Sequence, residues 1–361
     1  MSQTKVSNTF IDNNRPFRNI VINGDMQVSQ RGDSTGVNST GFYGPDRFKF
    51  FTADSAGAFS VSQSGTAPGD FGLNYSYKLA CTTADTSVAA SEYVFLQTSF
   101  EKQNLQHLRK GLSDAKKLYL SFYAKADASL TYVVEVYDNE HDRVQSQTFA
   151  VTTSWQRFTF EIPADTNGET LANNNTAGIS VHWWLHGGSN YTSGTLSGSW
   201  ADRTNANRAA GIGSVLASTD REFYLTGVQL ELGGVSDFEH VPHDVQLARC
   251  KRYFENYEVE NGSGIVGVSF NANDATTRLE YKVTKRAAPT IGGIPTGVSG
   301  GDGFNFLTNA GSYSSAGSLT SHSISIDGCR INGASHGSLT NPGSTLFYAT
   351  QDQTITIDAE L

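Results

Sequence analysis

Three acidic side chains stand close together in the segment VYDNEHDR, namely Asp138, Glu140 and Asp142. Such carboxylates could bind calcium, which takes oxygen ligands. They could also supply the acid and base of a glycosidase, which needs two carboxyl groups ~5 to 9 Å apart across a cleft. The segment lacks the glycine of an EF-hand loop, and no partner segment is defined. We therefore favour a solvated hairpin turn, with calcium binding and catalysis as the alternatives.

The segment GISVHWWLHGG alternates in side-chain character with the two-residue period of a β-strand. This period predicts one face with Ile179, Val181, Trp183 and Leu185, and an opposite face with His182, Trp184 and His186. The two histidines would lie ~13 Å apart, too far to bind one zinc ion. An outward tryptophan can stack on a sugar ring, but a subunit interface would also bury it. Both interpretations stay open.

Further aromatic candidates lie on other segments. Tyr119 and Tyr123 project from the polar face of a strand predicted over residues 118–122, and Trp200 stands at the tip of a long loop. Trp155 precedes a strand at a turn, which is typical of a core or corner residue. We predict that glycan contacts are made by Trp184, His182, Trp200 and Tyr191, with Tyr119 and Tyr123 as further candidates.

Charge and composition exclude several other functions. The formal net charge is −9 and no run of Lys or Arg exceeds two, so the basic footprint of a nucleic-acid-binding protein is missing. Residues 1–17 lack the apolar core of a signal peptide, and no segment approaches the ~20 apolar residues of a membrane span. The sequence has no P-loop, dinucleotide-binding, nucleophile-elbow or HExxH motif. We expect no nucleic-acid partner, no membrane insertion, no catalysis and no cofactor beyond a structural calcium ion.

The three cysteines, Cys81, Cys250 and Cys329, are dispersed along the chain. We expect them to be buried thiols of a chain made in a reducing cytoplasm.

The elements that must position these residues are short strands. About ten alternating segments separated by Gly-, Asn- and Asp-containing turns run from Ile20 to Leu230. Parallel strands need long, usually helical connections, and almost no helix is predicted here, so we expect two stacked antiparallel sheets in a jelly roll. The stretch from His186 to Ser218 is too long for a hairpin turn and predicts a large surface loop of the kind that often carries function.

A change of periodicity near residue 242 divides the chain. A strand from Thr226 ends at Gly233 and Gly234, and after Pro242 the apolar residues recur at helical intervals. The chain is therefore all-β, with a jelly-roll β-sandwich, a short linker helix and a second, smaller β-sandwich domain. The predicted boundaries are an extended N-terminal arm over 1–18, the jelly roll over 19–242, the helix over 243–256 and the C-terminal β domain over 257–361.

Several stretches resemble a family of bacteriophage tail-fibre and virion-surface proteins. They are FRNIVINGDMQVSQRG (17–32), YGPDRFKF (43–50), KKLYLSFYAKADAS (116–129), TTSWQRFTFEIP (152–163), TGVQLELGGVSDFEHVPHDVQLARCKRYFE (226–255) and TITIDAEL (354–361). Phe48 departs from the family pattern, which usually has Trp. The resemblance implies a first domain similar to carbohydrate-binding-module jelly rolls, a homotrimeric assembly, and an arm that attaches to other virion proteins. It also implies Asp25 as a contact for a structural calcium ion.

The function that we predict is host-surface attachment without catalysis. The chain would be a virion structural protein, a tail fibre or related appendage on the tail or capsid surface, and would be made in the host cytoplasm. A multimer repeated around the particle converts weak glycan contacts into firm attachment. A head-decoration or connector protein with a purely structural role is one alternative. A polysaccharide depolymerase is another, although the long repetitive β-helix expected of such an enzyme is missing.

Overall fold

The computed structural model describes residues 17–294, 304–308, 313–315, 318–334, 339, 343–349 and 351–361. Contacts between residues divide the chain into two units, one running to Leu247 and including Leu361, the other spanning Ala248–Glu360. Within the described ranges, no helix is long and apolar enough to cross a membrane. The predicted N-terminal arm lies outside the described residues except for its last two positions.

The described part of the first unit is built almost entirely of strands. They are β1 (Ser34–Val37), β2 (Gly41–Phe42), β3 (Lys49–Ala53), β4 (Ala58–Ser64), β5 (Ser76–Thr83), β6 (Tyr93–Glu101), β7 (Leu118–Ala126), β8 (Leu130–Asp138), β9 (Arg143–Val151), β10 (Gln156–Ile162), β11 (Ala177–Gly187), β12 (Ala201–Asp202) and β13 (Glu222–Leu232). Short helical turns occupy Gly69–Phe71, Lys102–Leu108 and Asn205–Asn207, and helix α1 spans Ser189–Thr192.

These strands form two antiparallel sheets of a jelly-roll β-sandwich, as predicted. The six-stranded sheet has the order β1-β4-β5-β13-β7-β10, and the seven-stranded sheet has the order β12-β9-β8-β11-β6-β3-β2. Alternate side chains of both sheets fill one apolar core. Trp183 lies at its centre, with ring centroids 6.1 Å from Phe48 and 5.7 Å from Phe122. Phe48 is fully buried there and serves as a core residue.

The first predicted strand, at Ile20 and Ile22, is an irregular segment instead. The segment is held against β13 by isolated bonds: the Ile20 amide donates to the Leu230 carbonyl over 2.9 Å, and the Val228 amide donates to the Gly24 carbonyl over 2.8 Å. A Cβ at Gly24 would lie 2.0 Å from the Val228 carbonyl oxygen, so only glycine permits this approach. Ile20 and Ile22, the residues that the alternation marked, are partly buried, whereas Val21 between them is fully buried in the core.

The linker helix is shorter than predicted. Helix α2 spans His243–Lys251 rather than 243–256. The residues that follow enter strand β14 (Phe254–Val259), which pairs with β23 (Gln353–Asp358) along its whole length. Because those backbone groups are taken by a strand about 100 residues further along, the local helical spacing of Phe254 and Tyr257 could not reveal the end of the helix.

The second unit is a smaller β-sandwich, as predicted. Its remaining strands are β15 (Gly264–Ser269), β16 (Ala275–Glu280), β17 (Thr290–Gly292), β18 (Phe304–Thr308), β19 (Tyr313–Ser315), β20 (Ser318–His322), β21 (Gly328–Ala334) and β22 (Gly343–Ala349). Sheets of order β14-β23-β17 and β19-β18-β22-β15-β16-β21-β20 share an apolar core that includes Leu279, Ile331, Phe347 and Ile357.

Candidate functional site

Trp184 and His182 lie on the face of the seven-stranded sheet that points away from the sandwich core. As the alternation predicts, Trp183 belongs to the core and Trp184 to a separate apolar cluster with Phe95, Val133 and Ala209. This cluster is not open to solvent, because Trp184 is only 1% exposed and His182 only 3%. We call this surface the closed aromatic face.

The lid over the closed aromatic face is the long stretch predicted as a surface loop. Residues 188–217, which we call the cover segment, contribute Ala209 to the cluster, and Tyr191, Leu196 and Ile212 pack against it. The chain therefore buries its own outward aromatic side chains, an outcome that neither the subunit-interface nor the glycan interpretation anticipated. Trp184 and His182 thus face away from the core, as predicted, but the cover segment buries them, and a sugar could reach them only if that segment moved.

Arg208 fastens the cover segment to the sheet through Glu135. Its Nε donates to Glu135 Oε2 over 3.0 Å, and its Nη2 donates to Oε1 over 2.5 Å. The Nδ1–H of His182 donates to the same carboxylate over 2.8 Å. Burial raises the pKa of Glu135, but the charge of Arg208 and the hydrogen bonds from His182 and Arg208 outweigh it and hold the pKa at about 2. Burial lowers the pKa of His182, which favours its neutral form.

A second polar contact fixes the same lid. His186 is buried between Ser214 of the cover segment, 2.8 Å from its Nδ1, and Glu92, 3.2 Å from its Nε2. Burial lowers the pKa of His186 against the opposing influence of Glu92. Both histidines of the GISVHWWLHGG segment thus serve the attachment of residues 188–217.

The other predicted contacts occupy varied positions. Tyr191 is partly exposed, with its ring 5.4 Å from those of Tyr93 and Trp184 at the edge of the closed aromatic face. Trp200 is partly buried against the sandwich core, and its indole N–H donates to the Pro163 carbonyl over 2.8 Å. Trp200 is thus an anchored side chain and not a loop tip. Whether any of these residues binds glycan stays a prediction.

Each carboxylate of the 138–142 loop has its own cationic partner. Asp138 is buried and lies 2.6 Å from the ammonium of Lys110, Glu140 lies 3.2 Å from that of Lys102, and Asp142 is paired with Arg203. These neighbours lower the pKa of all three carboxyl groups, overcoming burial at Asp138 and Glu140. The loop is a hairpin, as favoured from the sequence, but its carboxylates are in ion pairs rather than simply solvated, which leaves them unsuited to share a calcium ion.

Asp25 is buried apart from that loop. The Gln27 side chain donates to its Oδ2, whereas its buried Oδ1 has no protein partner. Burial is the main cause that raises the pKa of Asp25. Across the described ranges, no group of three or more His, Cys, Asp and Glu side chains is placed to hold a metal ion. Calcium contact at Asp25 therefore remains a prediction that rests on the resemblance alone.

The outer face of the six-stranded sheet carries a different aromatic cluster. Tyr224 of β13 is flanked in register by Lys78 of β5 on one side and Lys125 of β7 on the other. Trp155 comes one residue before Gln156, which faces Ala124 of β7, so it falls opposite Lys125. We call Trp155, Tyr224, Lys125, Lys78 and Glu222 the open aromatic surface.

The open aromatic surface is a partly exposed ring supported by a buried one. The Trp155 and Tyr224 rings meet edge to face with centroids 6.2 Å apart. The Lys125 ammonium lies 4.6 Å from the Tyr224 centroid and 5.6 Å from that of Trp155. The Tyr224 hydroxyl donates to Glu222 over 2.6 Å, and Lys78 pairs with Glu222 over 2.6 Å. Burial, then the bond to Glu222, raises the pKa of Tyr224, so its hydroxyl keeps its proton.

The remainder of the same sheet face is less accessible. Tyr123, a predicted contact, is buried with its ring 5.0 Å from that of Phe71, and Arg157 lies 5.9 Å from its centroid. Tyr119, the other predicted contact on this strand, is partly buried and donates to Glu161 over 3.2 Å. The structure places both on the face predicted for them but brings neither into the open aromatic surface.

Sequence reasoning assigned Trp155 to a core or corner and did not consider Tyr224. Because Phe223 and Leu225 are apolar, the position of Tyr224 on the opposite face of β13 was readable from alternation. Alternation could not show that Trp155, Tyr224 and two lysines lie together, because their proximity depends on the register of β5, β13, β7 and β10.

The first unit defines the chain as a jelly-roll β-sandwich protein. No protein-family model matches the sequence, and no curated protein matches it. Among solved structures, a CBM4 protein is similar over 58% of this chain and 98% of its own, with 17% identity and a TM-score of 0.31. TmCBM61 in complex with β-1,4-galactotriose matches 60% of this chain and 99% of its own, with 12% identity and a TM-score of 0.27. The enzymatically active domain of bacteriophage CBA120 tailspike protein 4 matches 61% of this chain and 22% of its own, with 9% identity and a TM-score of 0.31. These are similarities of fold.

Proposed function

We propose that this chain is a non-catalytic surface protein of a bacteriophage particle, a tail fibre or related appendage, that binds host glycan through the open aromatic surface. The observation that carries the glycan part is Trp155, a partly exposed indole that lies beside Tyr224 and Lys125 directly before strand β10. The virion part is supported by the sequence stretches that resemble phage tail-fibre proteins.

The surface has the chemistry that sugar recognition needs. An aromatic ring covers the apolar face of a sugar, and polar groups at its margin fix the sugar's hydroxyl groups. Trp155 offers the ring, and Glu222 and Lys78, a paired acceptor and donor, lie beside Tyr224 on the same face of the sheet. No acceptor in the described part of the chain bonds the Trp155 indole N–H, which leaves it for a ligand oxygen. Because Tyr224, Lys125, Lys78 and Glu222 stand on paired strands, their backbone positions are set before a ligand binds.

One such site binds weakly, so attachment needs several. In a homotrimer repeated on the particle, later contacts form at the high effective concentration set by the first. The non-catalytic part of the proposal is supported by the ion pairs of Asp138, Glu140 and Asp142, whose carboxylates are occupied by Lys110, Lys102 and Arg203. A depolymerase would need an acid and a base free to face a glycosidic bond across a cleft.

The experiment is an array of purified bacterial capsular and O-antigen polysaccharides, acidic and neutral, probed with the full-length chain and with Trp155→Ala. We expect selective binding that the substitution abolishes, and no new reducing ends in the bound polysaccharide. Absence of binding across the array would contradict the glycan part. Antibody labelling of intact particles tests the virion part: label on the tail supports an appendage, label on the capsid supports head decoration, and no label on particles contradicts both.

A further inference from the structure

Lys125 stands out among the cations on the six-stranded sheet. Its neighbours are neutralised, because Lys78 pairs with Glu222 and Arg221 pairs with Asp127. No carboxylate of the described residues lies within ion-pair distance of the Lys125 ammonium. That ammonium sits between the rings of Tyr224 and Trp155, at 4.6 Å and 5.6 Å from their centroids.

This position leaves a positive charge at the centre of a surface suited to sugars. The aromatic faces compensate it in part through cation–π attraction. Although the formal net charge of the chain is −9, the Lys125 ammonium lies against two aromatic rings instead of a carboxylate. A ligand that stacks on Trp155 would displace water from the Lys125 ammonium. It would then have to offer the ammonium an interaction as favourable as the one with that water.

We propose that the open aromatic surface takes an acidic glycan, with a sugar ring stacked on Trp155 and its anionic group paired with Lys125. This inference rests on the glycan-binding function proposed above and names its ligand class. A carboxylate or phosphate would form a charge-assisted hydrogen bond with the ammonium, which a neutral hydroxyl group cannot match. Lysine binds as a compact point charge, so both anionic groups satisfy the same site.

The test uses calorimetry with short oligosaccharides cut from the polysaccharides that bind on the array. Each is compared with its carboxyl-reduced form and with its dephosphorylated form. We expect loss of one kind of anionic group to weaken binding by about threefold to tenfold, since the pair is partly exposed. Loss on carboxyl reduction identifies a sugar acid as the source of the charge, and loss on dephosphorylation identifies a sugar phosphate.

Substitutions test whether Lys125 is the residue that pairs with the anionic group of the ligand. Lys125→Gln should lower affinity for the acidic oligosaccharide to that measured for its neutral form, and Lys125→Arg should keep most of the affinity. Lys116→Gln is the matched control, because it removes one exposed positive charge about 30 Å away, before the other end of β7. Melting temperatures of the variants show whether the fold is retained.

The outcomes separate this inference from the proposed function. Binding that is lost in Trp155→Ala but is equal for acidic and neutral forms keeps the glycan function and overturns the acidic ligand. A drop in Lys116→Gln equal to that in Lys125→Gln also overturns it, because the effect would then come from overall charge. No binding on the array overturns both.

Discussion

Arg208 covers Trp184: its guanidinium carbon lies 4.7 Å from the centroid of the tryptophan ring while its nitrogens hold both carboxylate oxygens of Glu135. The most conspicuous aromatic residue in the sequence is therefore closed off by the chain's own cover segment. Trp155, on the opposite side of the sandwich, has no such lid. The two outer faces thus differ, since the cover segment buries Trp184 whereas Trp155 stays partly exposed.

Arg208→Ala should destabilise the first unit substantially. It would leave Glu135 as a buried carboxylate without its cation, which costs roughly 3 to 5 kcal/mol. Urea unfolding of the full chain followed by tryptophan fluorescence measures this, because all four tryptophans lie between residues 155 and 200 of the first unit. Arg203→Ala is the matched control: its pair with Asp142 is one-third to one-half exposed, so its loss should cost less than ~1 kcal/mol. Equal effects of the two substitutions would contradict the role given to the Arg208–Glu135 pair in holding the cover segment.

Acid should weaken the first unit in two stages. Burial lowers the pKa of His182 and His186 below the ordinary 6.5. As the pH falls through 6.5, these histidines are protonated in the unfolded chain but stay neutral in the folded chain. The free energy of unfolding therefore decreases. The pKa of Glu135 is about 2 instead of 4.5, so its contribution is present above pH 4.5 and is lost as pH falls towards 2. The urea midpoint should therefore decline from about pH 7.5 to about pH 5, and His182→Gln should flatten that decline. A midpoint that is constant or rises over this range would count against the buried neutral histidines.

Chelation should leave the 138–142 loop intact. Lys110 bridges Asp138 and Asp165, at 2.6 Å and 3.1 Å, so the charge that calcium would supply is already present in the protein. We expect the same melting temperature in EDTA and in millimolar calcium. Lys110→Met, by contrast, should lower stability by roughly 3 to 5 kcal/mol because it takes the ammonium away from fully buried Asp138, while Asp165 keeps its pair with Arg143. A calcium-dependent rise of several degrees in the unsubstituted protein would show an ion site, with Asp25 as the next residue to test.

A buried ion pair should control the stability of the second unit. Lys285 and Glu255 are both fully buried with 2.5 Å between Nζ and Oε2. Glu255→Gln leaves a buried ammonium and should destabilise the unit by roughly 3 to 5 kcal/mol, whereas the double variant Lys285→Met with Glu255→Leu should recover much of that loss. Hydrogen exchange of the amides in β14 and β23 is the measurement. Arg278→Ala, which breaks an exposed pair with Glu280, is the control and should change little.

The sequence predicted the fold correctly wherever the alternation of apolar and polar residues distinguished the two faces of a strand. Alternation alone placed Trp183 in the core and Trp184 on the opposite face, and turn residues with almost no helix indicated two β-sandwiches. What it could not show is which distant segment covers an outward face. Arg208 and Glu135 are 73 residues apart, and their contact depends on how residues 188–217 fold back over β8 and β11.

The candidate site was less accessible to sequence reasoning than the fold. Tyr224 could be placed on the outer face of β13, but Lys78 and Lys125 join it only through the pairing of three strands that lie far apart in the chain. Trp155 precedes strand β10 at a turn, as predicted, but that position did not reveal its neighbours on the outer face of the sheet. Register, rather than composition, assembles this surface.

Calorimetric binding of a glycan to Trp155→Ala and Tyr191→Ala, beside the unsubstituted chain, tests the central claim most directly. Both substitutions remove one partly exposed aromatic side chain, Trp155 from the open aromatic surface and Tyr191 from the edge of the closed aromatic face. We predict that Trp155→Ala weakens binding about thirtyfold, because it removes apolar contact worth ~2 kcal/mol, and that Tyr191→Ala binds as the unsubstituted chain does. Retained binding in Trp155→Ala with loss in Tyr191→Ala would contradict the account and return the site to the closed aromatic face.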